Sequence, residues 1–265
     1  MSTRPAAVAG AFYPGRAGEL AETVSALLAD APAQASRPTA ARLPKAMILP
    51  HAGYAYSGPI AATGYRLLAG AADRIRRVVL LGPAHRVYLS GMALPSADKF
   101  EVPTGNVPLD RNLINELLAL PGTRTDDEAH ALEHCLEVHL PFLQAVLEQF
   151  ELVPIVVGQC PAAQVAGVLE AAWGGEETVI IVSSDLSHYH PYDSAREIDA
   201  ATTARILARS SNLEGEEACG ASAINGLMLA ARGHDLTVHA LDIRNSGDTA
   251  GDRRQVVGYG AYALS

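Results

Sequence analysis

The feature that most constrains this chain is the alternation of short, continuously apolar runs with helical patterns. Runs of strand length lie at 46–50 (AMILP), 77–82 (RVVLLG), 152–158 (LVPIVVG), 178–183 (TVIIVS), 236–243 and 256–263 (VVGYGAYA). Helix-period patterns fill the intervals near 17–30, 58–70, 110–120, 130–148, 161–173, 193–210 and 216–232. A strand that is apolar throughout must be covered on both faces, which a parallel sheet between helical layers provides. The pattern predicts a three-layer α/β/α fold around a largely parallel or mixed sheet. The length of 265 residues fits one such domain, 1–265. Residues 31–44, rich in Pro and Ser, read as a surface connection.

Charge and cysteine usage remove several function classes. The 20 Lys and Arg against 29 Asp and Glu leave a net charge of −9, and the basic residues are scattered. Binding to nucleic acid or an anionic membrane needs a positive surface, so neither partner is expected. No segment approaches the roughly 20 apolar residues of a membrane span, and the first residues lack the apolar run of a signal peptide. A cytoplasmic location is the expectation. The three cysteines, Cys135, Cys160 and Cys219, are widely spaced and form no CxxC pair, which argues against a disulfide framework and a zinc ribbon. Phosphate-binding GxxxxGK[ST] and GxGxxG loops and a GxSxG elbow are absent from the sequence.

The residues that follow the strands carry the chemistry. Residues 46–50 run into His51, 77–82 into His85, and 178–183 into Asp185, His188 and His190, while 236–243 leads to Asn245, Ser246, Gly247 and Asp248. In a parallel sheet all these ends lie on one edge, where such folds bind ligands. Imidazoles and carboxylates from four segments would meet there, a metal-site or catalytic pattern without a thiolate cluster. The plain alternative for each His taken alone is a hydrogen-bonded loop residue. His188 is the better candidate in its segment, because His190 precedes Pro191 and belongs to a turn.

Two further motifs compete. HALEH at 130–134 matches the inverted zinc-protease signature, with His130 and His134 one helical turn apart, but a five-residue match also arises by chance. Downstream, Leu132, Leu136, Leu140, Leu143 and Leu147 mark a core-facing stripe, and Pro141 breaks or restarts the helix. Glu137 and His139 then supply ligand support, a substrate contact, or simply a solvated helix end. Cys219, followed by Gly220, could pair with a strand-end His as a nucleophile, although a Cys at the start of an apolar helix ordinarily packs.

The segments VAGAFYPG (8–15), PHAGYAYSGPIAATGY (50–65), LLGPAH (80–85), FEVPTGNVPLD (100–110), EHCLEVHLPFL (133–143), SSDLSHYH (183–190) and NSGDTAGDRRQVVGYGAY (245–262) resemble the Memo family, whose prokaryotic members are also called AmmeMemoRadiSam system protein B. The resemblance spans nearly the whole chain in order. It implies a class III extradiol dioxygenase-like fold with a non-haem metal site at one end of the sheet. His51 and His85 match the family's metal-binding histidines. Asp185 and His188 match the Asp and His of its SSDxxH segment, where the His serves as acid and base. Glu133, His134, Glu137 and His139 match its EHSxExHLPF run, with Cys135 in place of Ser. Animal members are expected to bring a Cys to the metal from the C-terminal segment, and this chain has none after Cys219. Asp248 stands in that stretch, with Thr249 the neighbouring alternative, so the expected set is His51, His85 and Asp248, with His188, Asp185, His139 and Glu137 catalytic. Fe(II) is the first expected metal, ahead of copper or zinc. The implied substrate is a catechol-like small molecule. The other reading is a non-enzymatic redox or interaction module working with AMMECR-type and radical S-adenosylmethionine proteins.

Overall fold

The computed structural model describes residues 2–32 and 43–265, so most of the connection read at 31–44 lies outside the described residues. Among them, nine strands form one mixed sheet. Its centre is parallel: Ala46–Leu49 pairs with Thr178–Ser183, which pairs with Arg77–Pro83, which pairs with Glu151–Val157. All four are buried almost end to end, as strands covered on both faces must be. Toward the margins antiparallel pairs enter: Val256–Leu264 runs against Ala46–Leu49, Val238–Asn245 and His188–His190, and Met92–Leu94 runs against Glu151–Val157, with Thr123–Thr125 parallel to Met92–Leu94 at the outer edge. A three-stranded sheet of Thr3–Arg4, Lys99–Val102 and Gly105–Pro108 lies apart from it.

Helices Ala17–Asp30, Tyr54–Tyr65 and Leu140–Val146 pack on one another, and Ala162–Ala171 pairs with Ala221–Gly233, which also contacts the two central strands Arg77–Pro83 and Thr178–Ser183. The predicted three-layer α/β domain is therefore present, with its sheet mixed rather than wholly parallel. Among the described residues no helix is long and apolar enough to cross a membrane.

The helix predicted over 130–148 is broken into pieces for a local reason. Asp126 caps a short helix, Asp127–Ala131, by accepting from the Ala129 N–H. Two residues later the Glu133 carboxylate accepts the backbone N–H groups of His134 and Cys135, which a continuing helix would have used. A 3₁₀ turn at Glu137–His139 then leads into Leu140–Val146, where Pro141 sits in the first turn and starts the helix. Leu132, expected on the core-facing stripe, is 65% exposed, whereas Leu136, Leu140, Leu143 and Leu147 are buried.

Candidate metal centre

The parallel strands end side by side, and the residues just beyond them converge. One ring nitrogen from each of His51, His85 and His134 lies within 4.8 Å of the other two. The His85 and His134 rings stack at 4.7 Å between centroids, and His51 meets both edge-on at 5.1 and 5.4 Å. His51 follows Ala46–Leu49, His85 follows Arg77–Pro83, and His134 comes from the loop created by the helix break. His51 is buried, while His85 remains reachable from solvent. Burial and the neighbouring imidazoles hold the His51 pKa well below its ordinary value, so its ring is neutral and able to ligate.

Glu133 organises two of the three rings. It is buried, and its carboxylate accepts from the His85 N–H at 2.7 Å and lies 2.9 Å from His85 Nδ1. Burial alone would raise its pKa, but the contacts with His134 and His85 outweigh burial and hold the carboxyl well below the usual range. With Nδ1 of His85 directed to Glu133, Nε2 is the nitrogen left for a ligand. A carboxylate behind a ligating imidazole is the usual support of such a site. His134 Nδ1 lies 3.2 Å from Glu133 Oε1, yet it is buried with no hydrogen-bond partner.

A thiol completes the group. Cys219 Sγ lies 3.4 Å from His51 Nε2 and accepts from the Asp185 N–H at 3.3 Å. Gly220 allows this approach, since a Cβ there would come within 2.7 Å of Ser184 Cβ and 2.8 Å of the Ser183 carbonyl oxygen. Burial and the Asp185 charge push the Cys219 thiol up to about 12. Asp185 accepts from the His51 N–H at 2.8 Å, with its other oxygen 4.0 Å from His51 Nε2, and burial raises its pKa to about 7. His85, Glu133 and Cys135 form an overlapping group, although Cys135 is wholly buried and its thiol is directed to the Pro83 carbonyl.

His188 stands on the same rim, on the short strand paired with Val256–Leu264, near enough to His85 for that charge to lower its pKa alongside the larger effect of burial. Its neighbour Tyr189 has φ +61°, a left-handed conformation rare outside Gly, at the point where the strand register shifts. Two cavities border the group. One of about 290 Å³ is lined by Cys219, Ala84, Tyr88 and Gln159. The other, about 770 Å³, is walled by Tyr56, Tyr189, Tyr259 and Arg254 and touches Ala52, next to His51.

Asp248, its alternative Thr249, Glu137 and His139 have other partners. Asp248 is exposed, accepting from the Tyr192 hydroxyl at 2.6 Å and from the Asn245 N–H at 3.1 Å, so its carboxylate caps a 3₁₀ turn instead of joining the imidazoles. Thr249 bonds the Ser246 carbonyl. Glu137 is wholly buried and takes four donors, the Arg4 guanidinium, the Tyr13 hydroxyl and the N–H groups of Ala7 and Val8. His139 is also buried, with a partner on each ring nitrogen, and burial brings its pKa down to about 3, so its ring is neutral.

His134 and Cys219 are the members that the expected ligand set lacked. The sequence held a signal for each: HALEH contained His134, and Cys219-Gly220 stood before an apolar helix. Cys219 is the cysteine that lies against His51. The protease reading of HALEH does not survive, because the helix ends at Ala131 and His130 is buried in the core with Nε2 against the Ala93 carbonyl.

Comparison with known proteins agrees with this architecture. The family described as Memo-like protein matches residues 4–263. A MEMO1 family protein of Aquifex aeolicus is 34% identical over 275 residues, covering 98% of each chain. Another, of Metallosphaera sedula, is 32% identical over 287 residues and covers 100% of both. A third, of Ignicoccus hospitalis, is 35% identical and covers 98% of both. Among solved structures, an uncharacterized protein of Escherichia coli K12 superposes with a TM-score of 0.54 at 16% identity, covering 83% of this chain and 99% of that one, which is a likeness of fold.

Proposed function

The chain belongs to the Memo-like family, and on that premise we propose that it is a metal-dependent oxidoreductase of the extradiol dioxygenase type, acting on a catechol-like small molecule. The observation that carries the reading is the convergence of three imidazole nitrogens within 4.8 Å at the carboxyl edge of the parallel strands, with the Cys219 thiol beside them. Imidazoles with one thiol and a nearby carboxylate suit Fe(II), copper or zinc. Fe(II) is the ion proposed, held by His51 and His85 with His134 and Cys219 as the remaining donors. When bound, it would supply Lewis acidity and electron transfer toward O₂.

The chain's own residues divide the rest. Glu133 orients His85. His188, its pKa depressed by burial, is neutral at pH 7 and takes the proton from a ring hydroxyl. The cavity between Tyr56, Tyr189 and Tyr259 supports a flat aromatic substrate, because aromatic walls favour offset or edge contacts with a ring.

Anaerobic loading with Fe(II), followed by oxygen-electrode measurements over a panel of catechols, tests the reading. O₂ uptake with at least one substrate, abolished in His85→Ala, is expected. A fully loaded protein that consumes no O₂ with any catechol would sink it. That result would favour the non-enzymatic module with AMMECR-type or radical S-adenosylmethionine partners, checked by partner binding that persists in the metal-free His85→Ala chain.

A further inference from the structure

Ser183 ends a central strand with its side chain fully buried, and its hydroxyl has three polar neighbours. His51 Nδ1 lies at 2.7 Å, His139 Nε2 at 2.8 Å and the Cys135 carbonyl oxygen at 2.7 Å. A hydroxyl has one hydrogen and two lone pairs, and a carbonyl only accepts. The Ser183 hydrogen therefore goes to Cys135, and both ring nitrogens must donate to Ser183. For the neutral His139 ring, donation from Nε2 leaves Nδ1 as the acceptor, and there the Tyr65 hydroxyl lies at 2.7 Å. For His51, donation from Nδ1 leaves the lone pair on Nε2, the nitrogen that lies 3.4 Å from Cys219 Sγ.

We propose that Tyr65, His139 and Ser183 form a tautomer lock that holds His51 with its proton on Nδ1 and its lone pair on Nε2 before any metal arrives. They are positioning residues, since each acts on the site through His51. Every proton in the chain of contacts has one consistent place. Reversing His51 would force Ser183 to turn its hydrogen from Cys135, leaving a buried carbonyl without its donor, and would aim an N–H at the ion. The lock explains why His139, placed by sequence among the catalytic residues, is buried two hydrogen bonds from the cluster. It rests on the metal-site reading only for its purpose; the tautomer is a property of the metal-free chain.

The test begins with nitrogen-15 NMR of histidine-labelled, metal-free wild-type protein, with His51 assigned by a His51→Gln control. The expected pattern is a protonated Nδ1 and an unprotonated Nε2. A second arm titrates the wild type and Ser183→Ala with Co(II) alone, following its visible absorption. Loss of the acceptor should weaken Co(II) binding 10- to 100-fold, the range seen when partners of ligating histidines are removed. Ser183→Thr, which keeps the hydroxyl, should recover most of it. A wild-type His51 protonated on Nε2 overturns the lock without any variant having to fold. The expected tautomer with unchanged Co(II) affinity in a folded Ser183→Ala chain overturns the link to ligation. The expected tautomer in a wild type that binds no Co(II) supports the lock and counts instead against the metal reading.

Discussion

Glu133 and Glu137 are four residues apart, buried, and both saturated with donors, yet they belong to different kinds of structure. Glu133 accepts from the imidazole of His85 and from backbone N–H groups, and it lies against the cluster. Glu137 accepts from the Arg4 guanidinium, the Tyr13 hydroxyl and the N–H groups of Ala7 and Val8, binding the N-terminal segment to the core. One holds groups that can ligate or titrate, and the other a cation that never releases its proton. The same side chain, four residues apart, therefore supports a site in one case and a fold in the other. Burial and bond number do not separate the two; the identity of the donors does.

The comparison breaks most visibly at Glu137. Glu137→Gln leaves the Arg4 charge buried with only neutral acceptors, and removal of one member of a buried ion pair costs about 3–5 kcal/mol. Urea unfolding should show that loss. A change below about 1 kcal/mol would mean the clamp is not structural.

Acid supplies the next largest effect. Burial holds the His130 pKa down to about 4, against about 6.5 in an unfolded chain. Because the folded form resists protonation, the contribution of His130 to stability is complete above pH 6.5 and falls as pH drops toward 4, by about 3 kcal/mol in all. Unfolding curves for wild type and His130→Gln at several pH values should therefore converge over that window, with the variant less sensitive to acid. Parallel pH profiles would remove His130 as the cause.

The smallest effect sharpens the contrast. Glu133→Gln should weaken metal binding 10- to 100-fold, about 1.4–2.7 kcal/mol, through loss of the anionic partner of His85. Its loss of folding stability should stay below that of Glu137→Gln. Metal titration and urea unfolding on the same preparations decide it, and the reverse order of stabilities would erase the distinction.

Strand positions were legible because continuous burial leaves continuous apolar runs, and the run TVIIVS is the strand Thr178–Ser183 residue for residue. His51 and His85 were legible because a parallel sheet gathers its carboxyl ends. Beyond that, spacing fails. Spacing does not distinguish Glu133 from Glu137, since the side chains that set them apart, His85 and Arg4, lie far away in sequence. Asp248 looked like a ligand because it is an acid in the right stretch, while its actual partner, Tyr192, lies 56 positions away. Cys219 looked like packing because the close approach permitted by Gly220 is a tertiary fact.

The Arg4 guanidinium bonds the carbonyls of His130 and Glu133 as well as the Glu137 side chain. One residue near the beginning of the chain thus grips both sides of the loop that delivers His134. The loop closed by Arg4 and Glu137 spans 133 positions, a contact that pays its entropy before it returns any binding. The third imidazole thus reaches the cluster through a loop whose anchor is distant in sequence, and its place there depends on a contact whose closure entropy the rest of the fold must offset.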